Sequence, residues 1–169
     1  YKTHSSELKY ETVEYPTQLG PNDVLIKTKA ASVNPIDLIF KAFSYSFYGP
    51  KFKGFGGDFS GIVLKTGSAS SFKEGDEIYG NFLVPFTKNG TFGEYFLFNE
   101  KKAILAIKKP KSLSFTEAAS LPIVACTAFQ ALKEHADLKG KNVLILGAGT
   151  SVGSYGVQFA KHYFGAANV

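Results

Sequence analysis

The chain has 169 residues, 44% hydrophobic and 20% charged, the balance of a globular fold rather than of a disordered segment. Nineteen basic against fourteen acidic residues leave a formal charge of +5 with neutral histidines, and no run approaches the roughly 18 apolar residues of a membrane-spanning helix. The single cysteine, Cys126, excludes an intrachain disulfide and a cysteine-built zinc site, and its apolar neighbours make it a small core residue rather than a nucleophile.

In chain order, the first two-thirds read as β-rich. Leu8 to Val13 is expected as a strand, and the proline- and glycine-bearing stretch from Tyr15 to Asp23 as a connection. From Val24 to Val33, Val24 and Ile26 alternate with Lys27 and Lys29, which predicts a strand with one solvated face. The Asn34-Pro35 step breaks it, because proline lacks a donor and restricts the residue before it. Ile36 to Tyr48 is expected as a short helix and loop. Phe59 to Leu64, Glu77 to Tyr79, Thr91 to Leu97 and Ala103 to Ile107 are further strands, separated by the turns at Gly67 to Ser71 and Lys73 to Asp76. Together they predict a compact β-barrel-like domain. Lys101-Lys102 and Lys108-Lys109-Pro110-Lys111 are spaced as turns and expected as solvated loop faces. With no recognition helix and no aromatic-basic sheet motif, nucleic acid is not an expected partner.

The period then changes. Phe115 to Ser120 predicts a short helix and Ala125 to His135 a longer one. Asn142 to Leu146 is an almost wholly apolar strand of the kind found in parallel sheets, followed by a turn at Gly147 to Gly153 and a helix over Val152 to Phe164. Glycine lets the chain approach a pyrophosphate without a Cβ in the way, and a helix N-terminus offers unpaired N–H donors. The strict G-x-G-x-x-G spacing is not met: after Gly147 and Gly149 the third place holds Val152, and with the register set from Gly153 the other two hold Ala148 and Thr150. The flanking strand and helix supply the context of a nucleotide-binding turn. Ala167-Asn168-Val169 reads as the approach to a second strand, so the chain is expected to stop before this domain is complete. The lack of any methionine is likewise read as the mark of a processed or trimmed chain.

Several strings, in this order, resemble the zinc-free, quinone-reductase-like branch of the medium-chain dehydrogenase/reductase superfamily: Ala31-Ser32-Val33-Asn34-Pro35-Ile36-Asp37, Gly57 to Val63, Phe72 to Gly80, Gly90 to Tyr95, Leu121-Pro122 through Thr127-Ala128, and the terminal turn. The resemblance implies a mixed fold, with a GroES-like β-barrel-like domain over residues 1–123 followed by the beginning of an α/β Rossmann domain over 124–169. In the two segments where zinc-holding relatives carry ligands, this chain has Asn34 and Asp58, and the four-cysteine lobe is absent, so no metal is expected.

The implied activity is hydride transfer from NADPH to a quinone or α,β-unsaturated carbonyl. Asn34, Asp37 and Tyr48 are the substrate-cleft candidates. Asn34 is expected to donate an amide hydrogen bond to a carbonyl or cofactor group, or else to cap the turn with Asp37. Asn34, Thr127, Gly147, Gly149, Thr150, Ser151, Val152 and Gly153 are the cofactor-binding candidates, with Thr127 otherwise a helix-start cap. Tyr45 and Phe52 join Tyr48 as aromatic residues of a cleft wall or of local packing. The same motifs are similar to fungal reductase-like proteins, including targeting factors of the plasma-membrane proton ATPase. That likeness gives an alternative: a non-enzymatic factor in membrane-protein targeting, acting at a membrane surface. A cytoplasmic location, peripheral at a membrane under the alternative, and a homodimer formed through sequence beyond Val169 complete the expectations.

Overall fold

A computed structural model of the chain describes residues 12, 14, 17–39, 55–82, 90–135 and 137–169. Five strands lie there in one antiparallel sheet: β1 (Asp23–Ser32), β2 (Asp58–Thr66), β3 (Glu77–Asn81), β4 (Tyr95–Asn99) and β5 (Leu105–Lys108), in the order β4-β1-β2-β3-β5. Each overlaps a strand expected from the sequence. The strand expected at 8–13 lies outside the described residues but for Thr12, and of the segment from Ile36 to Tyr48 only 36–39 are described, within a helical turn over 35–39.

The core lies on one face of the sheet. Residues two apart on a strand share a face, so Val24 and Ile26 of β1 meet Phe96 and Phe98 of β4 together with Phe59, Val63, Phe72, Ile78 and Phe82. Phe59 stands at the centre, fully buried, its ring 4.8 Å from that of Phe96 in an edge-on contact. Truncating such a residue to alanine typically costs about 3–5 kcal/mol. Leu25, between the two inward residues of β1, is also fully buried, so the expected solvated face begins only at Lys27. Helix α1 (Phe115–Ala119) packs against β1, β2 and β3 through the buried Ala118 and Ala119.

Among the described residues the sheet does not close into the expected barrel. β4 and β5 are the two edges of an open sheet and share no ladder. β5 is only four residues long and pairs with β3, from Ile78 opposite Lys108 to Asn81 opposite Leu105. Proline at 110 then forbids further pairing of the strand. Nor is Lys109 the solvated residue expected from its lysine cluster. Its side chain is 5% exposed and bridges Glu77 Oε2 at 3.0 Å while donating to the Leu113 carbonyl at 2.6 Å.

After α1 comes an α/β region. Helix α2 (Pro122–Lys133) packs against α3 (Ser151–Gln158), which runs on into a π-helical turn, Phe159–Tyr163. Phe129 of α2 meets the rings of Phe159, Tyr163 and Phe164 at 5.2–5.6 Å. The strand expected at Asn142 to Leu146 is reduced to one parallel bridge, Asn142 to Asn168, flanked by the bonds from Val143 N–H to Asn168 and from Ala167 N–H to Lys141. Leu144 and Leu146 are 84% and 87% exposed. The parallel sense is that of a strand, a crossover helix and a second strand.

Candidate functional site

The glycine turn is closed by three contacts. Gly147 adopts φ +83°, a conformation open to glycine at little cost. Thr150 is the N-cap of α3: its backbone N–H donates to the Gly147 carbonyl at 2.9 Å, its hydroxyl donates to the same oxygen at 2.8 Å, and that hydroxyl accepts the Gly153 N–H at 3.1 Å. Gly153 is buried at the point of closest approach, where a Cβ would stand 2.1 Å from the Gly147 carbonyl oxygen. Gly153 thus does the close-packing work of the last fingerprint glycine, one place later than the strict spacing.

Above this closed base the turn is open. Nothing lies within 4 Å of where a Cβ on Gly149 would stand. Ser151 and Val152 are the first two residues of α3, so their N–H groups have no helical carbonyl a turn back and sit at the positive end of the helix dipole. Of the side chains expected at the cofactor, that of Thr150 is spent inside the turn, whereas that of Ser151 is exposed.

A second cluster is built on the Asn34-Pro35 step. Asn34 N–H donates to Asp37 Oδ2 at 2.7 Å, and Asp37 N–H donates to the Asn34 carbonyl at 2.9 Å, with Pro35 opening the helical turn at 35–39. Asp37 is buried and committed to this cap. Burial pushes its carboxyl above the usual range, the Asn34 N–H opposes the rise, and the Asp58 charge adds to it. The Asn34 side chain does something else: Nδ2 donates to Asp58 Oδ2 at 2.8 Å and to Ser32 Oγ at 3.2 Å. These contacts turn the Asn34 amide nitrogen toward Asp58 and Ser32.

Sequence reasoning placed Asp58 only where zinc-holding relatives carry a ligand and gave it no role of its own. Fully buried at the start of β2, it accepts four hydrogen bonds: Oδ2 from Ser32 Oγ at 2.9 Å and from Asn34, and Oδ1 from Asn81 Nδ2 at 2.7 Å and from Ile123 N–H at 3.1 Å. Burial drives its carboxyl up, and the Asn81, Ser32, Asn34 and Ile123 donors pull against that rise. The Ile123 bond explains how α2 begins. Its N-cap residue, Leu121, has no capping side chain, and Asp58 takes up an N–H of the first turn from 65 residues away. Besides that resemblance, an acid at the head of a hydrophobic strand and a helix lacking its own cap were the signals in the sequence.

Thr127 lies in the sixth position of α2, so it is not a helix-start cap. Its exposed hydroxyl donates back to the Ile123 carbonyl at 2.6 Å. Cys126 is half-buried and lines a cavity of about 250 Å³ with Ala125, Phe129, Gln130 and Phe159. Burial, and after it the Asp58 charge, push its thiol up, which keeps it protonated and a poor nucleophile. Tyr45, Tyr48 and Phe52 lie outside the described residues.

Residues 20–111 match the family of the alcohol dehydrogenase GroES-like domain. The chain belongs to that family. Its GroES-like domain precedes the α/β region, and the likeness runs to the zinc-independent, quinone-oxidoreductase-like branch of the medium-chain dehydrogenase/reductase superfamily. Over 172 aligned residues the chain is 39% identical to 2-methylene-furan-3-one reductase of Solanum lycopersicum, covering 96% of this chain and 42% of the relative. It is 37% identical to the chloroplastic NADPH-dependent alkenal/one oxidoreductase of Arabidopsis thaliana, covering 96% and 43%. The solved structure of the quinone oxidoreductase from Coxiella burnetii superposes with a TM-score of 0.72 at 34% identity, over 90% of this chain and 49% of that one. The chain therefore spans less than half the length of these relatives.

Among the described residues of this GroES-like family member, no three of His, Cys, Asp and Glu come together as a metal would require. Nor, among them, is any helix long and apolar enough to cross a membrane. The dinucleotide that the fold family implies fits the turn: a Cβ-free space over Gly149, two unpaired amides beside it, and a base held shut by Gly153 suit a pyrophosphate.

Proposed function

We propose that the chain is part of an NADPH-dependent, zinc-independent oxidoreductase that reduces a quinone or an α,β-unsaturated carbonyl. Residues 1–123 form its GroES-like part and residues 124–169 open its nucleotide-binding part. The observation that carries this reading is the open space over Gly149 beside the unpaired amides of Ser151 and Val152. The names of the tomato and Arabidopsis relatives describe conjugated carbonyls as substrates, and the second names NADPH.

In this reading Gly147, Gly149, Ser151, Val152 and Gly153 hold the pyrophosphate through backbone and shape, with Thr150 bracing the turn. Asn34 and Thr127 face the nicotinamide side, and Tyr48 borders the substrate. When bound, the reduced nicotinamide supplies a hydride to the electron-poor carbon of the substrate. The electron pair of the reduced double bond moves to the substrate oxygen, and water delivers the proton. The residues contribute alignment and exclusion of water rather than a covalent nucleophile, and Cys126, held as a thiol, takes no part.

Calorimetric titration of the protein at its natural length with NADPH and NADH, followed by turnover with a panel of quinones and enones, tests the reading. Saturable NADPH binding with turnover supports it, and a folded protein that binds neither dinucleotide overturns it. Binding without turnover across the panel would instead favour the non-enzymatic, membrane-surface alternative.

A further inference from the structure

We draw no further inference here: the strongest candidate, the cavity of about 250 Å³ between α2 and α3 lined by Ala125, Cys126, Phe129, Gln130 and Phe159, is an apolar pocket around a lone cysteine, and nothing in the structure shows what fills it.

Discussion

Gly153 lies against the carbonyl of Gly147 so closely that a Cβ there would stand 2.1 Å from the oxygen, whereas a Cβ at Gly149 would meet nothing within 4 Å. Two glycines four residues apart thus answer to different demands, one from the fold and one from a ligand. Gly153→Ala must push the helix off the turn and should destabilise the protein by about 1–3 kcal/mol. Gly149→Ala should leave thermal unfolding within about 0.5 kcal/mol of wild type. Equal losses of stability in the two variants would contradict this division.

Thr150 braces the same turn with both faces of its hydroxyl. Thr150→Ala removes the cap of α3 and should cost about 1 kcal/mol, with Thr150→Ser recovering most of it. Denaturant unfolding of the two variants checks this, and an alanine variant as stable as wild type would show that the cap contributes nothing.

Adjacent lysines should differ sharply. Lys108 is 63% exposed in its bridge to Asp76, so Lys108→Ala should change stability by no more than about 1 kcal/mol. Lys109 is buried between Glu77, the Pro110 and Leu113 carbonyls and the Phe115 ring, and Lys109→Ala should cost about 1–3 kcal/mol by leaving those acceptors unpaired. Parallel denaturant curves decide it, and equal effects would contradict the placement of Lys109.

The capping box of α1 gives a pH dependence. Glu117 accepts from the Ser114 N–H and hydroxyl, which hold its carboxyl below the ordinary glutamate value. A folded-state value below the unfolded one means that the unfolded chain binds more protons, so stability rises with pH across that window. The contribution is complete above the ordinary glutamate value and is lost as pH falls through the lowered one. Wild type should therefore exceed Glu117→Gln in stability near neutrality, and the gap should close in acid. A gap independent of pH would contradict it.

What the sequence discloses is what neighbours in the chain determine. The strands on β1, β2, β3 and β5, the break at Asn34-Pro35, and the turn from Gly147 to Gly153 are written in local alternation, proline and glycine. What it hides depends on contacts far apart. The four donors around Asp58 come from residues 32, 34, 81 and 123, and no local pattern unites them. Lys109 looks like its solvated neighbours until the chain after β5 folds back over it. The open edges at β4 and β5 are likewise invisible, because strand count does not say whether a sheet closes. The apolar run from Asn142 to Leu146 does predict an extended segment, which enters one parallel bridge with Asn168.

The central claim is that the turn above Gly147 holds the pyrophosphate of NADPH, and the most direct measurement is the NADPH dissociation constant of Gly149→Ala against wild type, in proteins of natural length matched for thermal stability. A methyl group placed in the open space should weaken binding by about tenfold or more with unfolding unchanged. Equal affinity in the two proteins would show that the space over Gly149 is not where the dinucleotide sits.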